Sequence, residues 1–136
     1  LCGSREFIQS ALRQRKQLGG GMRQAGVLAA AGIIALEKMS ARLGEDHERA
    51  HRLAEGLANI PGFFLDFGEP ASNMVFVSMD SAIKLTASQA ADLLAKQGIR
   101  VGAVGEKRFR LVTHYWIDDL SVQKTIKAFA CLGKSY

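Results

Sequence analysis

The chain has 136 residues, of which 48% are hydrophobic and 23% are charged, proportions that suit a globular domain or part of a larger one and exclude wholesale disorder. Its net charge of +5 comes with too few interleaved aromatic residues for a nucleic-acid surface, and its longest apolar run, residues 25–36, is too short to cross a bilayer. The two cysteines, Cys2 and Cys131, stand at opposite ends of the chain without metal-type spacing, which favours a reduced, cytoplasmic protein.

The first predicted element is a helix over residues 5–18. Ser4 is a favourable N-cap, and apolar residues recur behind it at helical spacing. The glycines at positions 19–21 are expected to end the helix. The four residues before it read as the end of a buried strand, and because chains rarely begin in mid-strand, the natural N-terminus is expected upstream.

Two further helices are predicted before residue 60. Residues 23–39 are apolar nearly all round, which is typical of a helix buried inside a larger protein. Residues 44–59 place apolar side chains on one face and charged side chains on the other. Pro61 and Gly62 are expected to end this helical region.

The second half of the sequence predicts the order β-β-α-β-β-α. Strands are expected at residues 63–65, 73–79, 99–104 and 109–113. A capping box from Thr86 to Gln89 opens the first helix, and Asp118 or Asp119 caps the last. This order predicts an α+β domain in which helices cover one face of an antiparallel sheet.

One motif matches the H-E-x-x-H signature of zinc proteases, at residues 47–51. His47 and His51 stand one helical turn apart, and Glu48 could act as a base. The surrounding residues are strongly charged, however, and no third ligand stands nearby in sequence. A solvated helix face is therefore favoured, and no metal site is predicted.

Two other segments are candidates for binding an anion. Lys16 and Arg23 flank the glycines at 19–21, where exposed N–H groups and cations could hold a phosphate or carboxylate. A helix–helix turn with surface charges is the alternative. Arg110, on a predicted strand, could clamp a carboxylate or simply face solvent. His114 at the strand end is interpreted as a core or helix-capping histidine.

Together these segments resemble the threonine aldolase family over the whole chain. The resemblance rests on Arg-Lys-Gln-Leu-Gly-Gly-Gly-Met-Arg-Gln at residues 15–24 with the alanine-rich run that follows, on Arg-Leu-Val-Thr-His at 110–114, and on Asn-Met-Val at 73–75. It implies an aspartate-aminotransferase type fold, pyridoxal 5'-phosphate as cofactor, a tetrameric assembly and retro-aldol cleavage of threonine or allo-threonine to glycine and acetaldehyde.

The resemblance also implies a division of the chain and a set of site residues. Residues 1–43 would complete the large cofactor domain, and residues 44–136 would form the small C-terminal domain. Arg110 would grip the substrate carboxylate, and Lys16 and Arg23 would line the active site or reach that of a neighbouring subunit. The lysine that carries the cofactor would lie upstream of Leu1 in the rest of the polypeptide, so this segment alone is expected to be inactive.

Three alternatives stay open at this point. Another enzyme of the same fold, such as a β-eliminating lyase or a serine hydroxymethyltransferase-like aldolase, would share these motifs. A non-enzymatic module that binds an acidic small molecule would use the same basic residues. A zinc hydrolase is the third alternative, based on the motif at residues 47–51.

Overall fold

The computed structural model describes residues 1–135, with side chains described through residue 133. Two compact units are present, one from Leu1 to Ser40 and one from Ala41 onward. A boundary after residue 43 between two domains of a longer protein stays a prediction. Within the described residues, no helix combines the length and the apolarity that a bilayer crossing requires.

The first unit begins with helix α1, Arg5–Gln17, whose N-cap Ser4 accepts a hydrogen bond from the Phe7 N–H at 3.2 Å. The run of glycines at residues 19–21 follows α1 and caps its C-terminus. Gly19 has φ +78°, and the N–H groups of Gly19 and Gly20 donate to the carbonyls of Lys16 and Arg15 at 3.1 and 2.8 Å. This is the glycine-terminated cap that closes many helices, and only glycine adopts that φ without strain.

The apolar helix predicted at 23–39 begins later and is not uniform. Helix α2 spans Gly26–Ile34, and it continues as a π-helical turn at Ala35–Met39 and a 3₁₀ turn at Ser40–Arg42. Gln24, just before it, has φ +51°, a conformation that is uncommon for a side chain other than glycine, asparagine or aspartate. No residue of α2 is buried, so its apolar circumference lies open in this chain.

The second unit contains three helices and four strands. The helices are α3 (Leu43–Ala58), α4 (Ala87–Lys96) and α5 (Asp119–Ser135), and the strands are β1 (Phe63–Leu65), β2 (Met74–Met79), β3 (Gly102–Ala103) and β4 (Arg108–Val112). The strands form one antiparallel sheet in the order β1-β2-β4-β3. The predicted β-β-α-β-β-α order is therefore confirmed.

Alternation along β2 and β4 gives the sheet one buried face. Val75, Val77, Phe109 and Leu111 point into the core, where they join apolar residues of α3, α4 and α5. Phe129 of α5 packs its ring edge against Phe109, with the ring centres 5.4 Å apart. The opposite face keeps side chains such as Met74 and Arg110 exposed, because successive strand residues point to opposite sides.

The strand predicted at 99–104 is much shorter than expected. Helix α4 opens with the predicted capping box, in which both Thr86–Gln89 hydrogen bonds are present. It closes at Gly98, which has φ +76°, and the Ile99 N–H bonds back to the Leu94 carbonyl at 3.0 Å. Because Ile99 is used by this helix cap and buries its side chain, strand pairing begins only at Gly102.

We predict that the isolated 136-residue chain binds a hydrophobic dye through α2 and the π-helical turn that follows it. Leu28 and Leu36 are 63% and 77% exposed, so replacing both with lysine should remove much of the dye signal and reduce self-association. Leu120→Lys, at a 73% exposed site of the second unit, is the matched control. Fluorescence titration and light scattering provide the measurements. A monodisperse chain that binds no dye would contradict the prediction.

Candidate functional site

The exposed face of β4 carries two arginines in different electrostatic states. Arg108 Nε lies 2.9 Å from Oδ2 of Asp66, an ion-pair distance, and the Asp66 side chain is largely buried. The other oxygen of Asp66 accepts a hydrogen bond from the Ser78 hydroxyl at 2.7 Å. Arg110 stands two residues further along the same face, opposite Phe76 in the sheet. Among the described residues, no carboxylate pairs with Arg110, so its guanidinium is available to a ligand.

Arg110 lines a cleft of about 290 Å³ at the end of β4. The walls come from β4 and the residues after it, from the segment before β3, and from the start of α5, with Leu53 of α3 at the base. Arg100, Arg110 and His114 are the basic residues of the lining, and in the described part of the chain the lining contains no Asp or Glu. Such a cleft favours an anionic ligand.

A free strand edge forms part of this cleft. The odd-numbered residues of β4 bond to β2, as the Thr113 N–H does with the Asn73 carbonyl at 3.0 Å. Even-numbered residues therefore direct their N–H and C=O groups toward β3. The register Gly102–Arg110 would place Arg100 opposite Val112, but no backbone hydrogen bond joins these two residues where the chain is described. Val112 thus presents an open N–H and C=O at the cleft wall.

Thr113 anchors the strand immediately after Arg110 and Val112. It is 1% exposed, and its hydroxyl donates to the Asp46 carbonyl of α3 at 2.6 Å. The Asn73 side-chain amide donates to the Thr113 carbonyl at 2.7 Å. These bonds join the end of β4 to the helix beneath it and to the start of β2. A strand end held from two sides gives the cleft a fixed wall.

The interpretation of His114 as a core or helix-capping histidine is wrong. His114 is exposed and lines the cleft, and it is Asp118 that caps α5, accepting from the Ser121 N–H at 2.8 Å. The His114 Nδ1 accepts from the Trp116 N–H at 3.4 Å, a long bond that leaves Nε2 as the outward ring donor in the neutral form. Residues of the open face were predictable from alternation, but the bend after Thr113 was not.

The glycine turn of the first unit fits only part of the predicted anion site. The N–H groups of Gly19 and Gly20 serve the C-terminal cap of α1 and are not free for a ligand. Lys16 and Arg23 are both exposed, and neither has an ion-pair partner among the described residues. An anion there would be held by the two side chains rather than by the glycine N–H groups predicted from sequence. Their assignment to an active site stays a prediction.

The motif at residues 47–51 lies on α3 within a network of surface ion pairs. Arg49 and Arg52 both contact Oδ1 of Asp119 on α5, at 3.0 and 2.8 Å. His51 is exposed, whereas His47 is half-buried. Within the described residues, no group of three or more His, Cys, Asp or Glu side chains is placed to hold a metal. Arg49 of the motif therefore joins α3 to α5, and the absence of bound zinc stays a prediction.

The sequence of this chain is similar to those of known proteins. A family model described as beta-eliminating lyase matches residues 1–81. The chain is 38% identical over 129 residues to low-specificity L-threonine aldolase 1 of Arabidopsis thaliana, an alignment that covers 95% of this chain and 36% of the relative. It is 40% identical over 114 residues to the low specificity L-threonine aldolase of Escherichia coli K12, covering 84% of this chain and 32% of that protein. The resemblance to threonine aldolases is thus confirmed, and the chain spans about a third of the length of these relatives.

Structural comparison supports the same fold. The chain superposes with a TM-score of 0.65 on a cystine C–S lyase, C-DES, solved in complex with its reaction product cysteine persulfide. The match covers 78% of this chain and 28% of that one, at 21% identity. An identity of 21% supports a shared fold but not a shared function. The fold class expected from the resemblance is confirmed.

We predict that Thr113→Val destabilises the protein by about 0.5–1.5 kcal/mol, because the change keeps the side-chain shape but removes the buried hydrogen bond from the Thr113 hydroxyl to the Asp46 carbonyl. Thr125→Val is the control. The Thr125 hydroxyl bonds to the Ser121 carbonyl within the same helix, so its loss should cost little. Denaturant unfolding of both variants measures the difference. Equal stability of the two variants would remove Thr113 as the anchor of the strand.

We also predict an acid-sensitive contribution from Asp119. Hydrogen bonds from Arg52 and then Arg49 hold the pKa of its carboxyl below the ordinary value. A lowered folded pKa gives stability that is present above the unfolded pKa of about 4 and is lost as pH falls through the folded value. In the Asp119→Asn variant, the unfolding midpoint should therefore fall less steeply as the pH is lowered. Asp92→Asn, at an exposed position of α4, should leave that slope unchanged, and identical slopes in all three proteins would refute the assignment.

Proposed function

The chain belongs to the beta-eliminating lyase family, and from this membership we propose that it is part of a pyridoxal-phosphate-dependent aldolase that cleaves L-threonine or allo-threonine to glycine and acetaldehyde. The identity of 38–40% to low-specificity L-threonine aldolases supports this reaction over others in the family. Since the matched relatives are about three times longer than this chain, the proposal concerns the full-length protein.

The observation that carries the proposal is Arg110, which lines the cleft and has no carboxylate partner among the described residues. An amino-acid substrate brings one carboxylate, and a guanidinium can accept it through two parallel hydrogen bonds. Arg110 occupies the position that the resemblance assigns to the carboxylate-binding arginine. Arg108, one step back on the same face, pairs with Asp66 and is not available for this contact.

Arg110 contributes binding and orientation to the proposed reaction. Holding the carboxylate fixes one substituent of the α-carbon. With the amino group also held, rotation is restricted, and the bond between the α- and β-carbons takes one defined direction. The anchor formed by Thr113 keeps the strand that carries Arg110 from shifting against α3. In the retro-aldol step the β-hydroxyl proton leaves, the bond between the α- and β-carbons breaks, and its electron pair stays on the α-carbon until a proton arrives to give glycine.

The described residues fit the cofactor as lining groups rather than as its point of attachment. When bound, pyridoxal phosphate supplies an electron sink for the pair left on the α-carbon. Lys16 and Arg23 offer cations suited to an anionic group such as its phosphate, and both side chains are exposed. By contrast, the Lys107 amine donates to the carbonyls of Ile83 and Leu85 at 2.5 and 2.7 Å and is occupied with holding that loop. The attachment lysine is therefore proposed to lie in another part of the polypeptide.

Location and assembly form part of the same proposal. We propose a homotetramer in the cytoplasm, in which the exposed apolar helix α2 is covered by other parts of the enzyme. The exposure of α2 in this chain supports that cover. Val27 and Leu28 are 76% and 63% exposed, and a folded protein rarely leaves so large an apolar surface open. Lys16 and Arg23 would then serve their own active site or that of a neighbouring subunit.

A β-elimination is the second candidate, favoured by the description of the matched family. Both reactions begin from the same bound amino acid and need the same carboxylate contact. They differ in which bond to the β-carbon breaks. Retro-aldol cleavage of threonine gives glycine and acetaldehyde, whereas β-elimination gives 2-oxobutanoate and ammonia. Product analysis of the full-length enzyme with threonine separates the two.

We predict that Arg110→Lys in the full-length enzyme lowers kcat/KM for threonine by about 30- to 1,000-fold. The lysine keeps the charge but loses the bidentate contact, which is worth about 2–4 kcal/mol. Most of the loss should appear in KM, because a carboxylate contact is made in both the ground state and the transition state. The melting temperature should stay nearly constant, since Arg110 is exposed.

Arg52→Lys is the matched control for this experiment. Arg52 is also an exposed arginine of the second unit, but it pairs with Asp119 away from the cleft. Its replacement should leave kcat/KM for threonine within about twofold of the wild type. An Arg110→Lys enzyme with wild-type kinetics, or one that is impaired only through lost stability, would exclude Arg110 from the substrate site.

A further inference from the structure

A second arginine, Arg100, lines the same cleft as Arg110 and has no place in the proposed reaction. It lies between the end of α4 and β3, in the segment that fails to pair with β4. Threonine carries one carboxylate, and Arg110 accounts for it. A second guanidinium in the cleft therefore exceeds what the proposed substrate needs.

The burial pattern places Arg100 on the open face of the sheet. Ile99 is 8% exposed and belongs to the core, and Val101 packs against the core as well, whereas Arg100 between them is exposed. Gly102 pairs with Arg110, so a residue two positions before Gly102 lies diagonally across from Arg110 on the same face. The two arginines thus lie near each other on the same face, and both belong to the lining of the cleft.

The charges around Arg100 leave it available to a ligand. As with Arg110, no acidic side chain pairs with Arg100 among the residues described. Arg108 shows the contrast, because Asp66 neutralises it on the same face. The free N–H of Val112 opens between the two arginine-bearing segments and adds a neutral donor. Two arginines that line one cleft without an acidic partner in the described chain make it electropositive, and a ligand with two negative ends would complement that charge.

We propose that Arg100 is a second anion-binding residue, and that the cleft binds a small ligand with two carboxylate groups, one on each arginine. The cleft volume of about 290 Å³ suits a short dicarboxylate. Such a ligand would compete with threonine for Arg110 while gaining a contact that threonine lacks. Binding requires no turnover, so the proposal stands or falls independently of the aldolase reaction.

The test compares succinate with butanoate, which has the same carbon chain and only one carboxylate. Calorimetry at low ionic strength measures the dissociation constants of both for the full-length protein, and inhibition of threonine cleavage gives a second measure. Wild-type protein should bind succinate at least about fivefold more tightly than butanoate, as expected for one added contact to a partly solvated arginine. Arg100→Gln should bring the two constants within about twofold of each other, because the second carboxylate then has no guanidinium to bind.

Lys96→Gln is the control for the loss of one positive charge. Lys96 is exposed at the end of α4, four residues before Arg100, and it does not line the cleft. This variant should keep the preference for succinate. If Arg100→Gln also keeps it, or if Lys96→Gln loses it equally, the proposal is wrong. A protein without threonine cleavage that still shows the Arg100-dependent preference would refute the proposed reaction and support this site.

Discussion

Burial of only one face of the β-sheet is the constraint on which the second unit depends. Helices α3, α4 and α5 need an apolar surface to cover, and the alternating apolar residues of β2 and β4 provide it. The same alternation forces every second side chain of β4 to the other face. Arg108 and Arg110 lie there because Phe109 and Leu111 lie inside. The position of the candidate ligand-binding arginine is thus a direct result of core packing.

Ion pairing with nearby carboxylates then decides which arginines are available to bind a ligand. Asp66 lies on the segment after β1, and the sheet order brings it to Arg108. Arg110 and Arg100 lie beyond its reach, in a cleft whose described lining has no carboxylate. The cleft lies where the segment between the helix cap at Gly98 and β3 leaves the end of β4 unpaired in the described chain.

In the first unit, the groups that are available to an anion differ from those that the motif predicts. Glycines beside cations predict an anion site built from backbone N–H groups, yet those groups close α1. What remains for a ligand is the pair of exposed side chains, Lys16 and Arg23. The apolar helix after them has no buried residue in this chain, which agrees with the proposal that the enzyme supplies further surfaces around it.

The sequence by itself determined the order of the helices and strands, the one-sided sheet and the family, because these depend on local caps, on periodicity and on motifs that lie together along the chain. It also indicated Arg110, since strand alternation assigns a face without tertiary information. Only the tertiary structure brought Arg100 and His114 to the same cleft, separated Arg108 from Arg110 by pairing it with Asp66, and anchored Thr113 to Asp46. Those contacts join residues that are distant in sequence, and their formation depends on where α4 ends and on how β4 packs against α3.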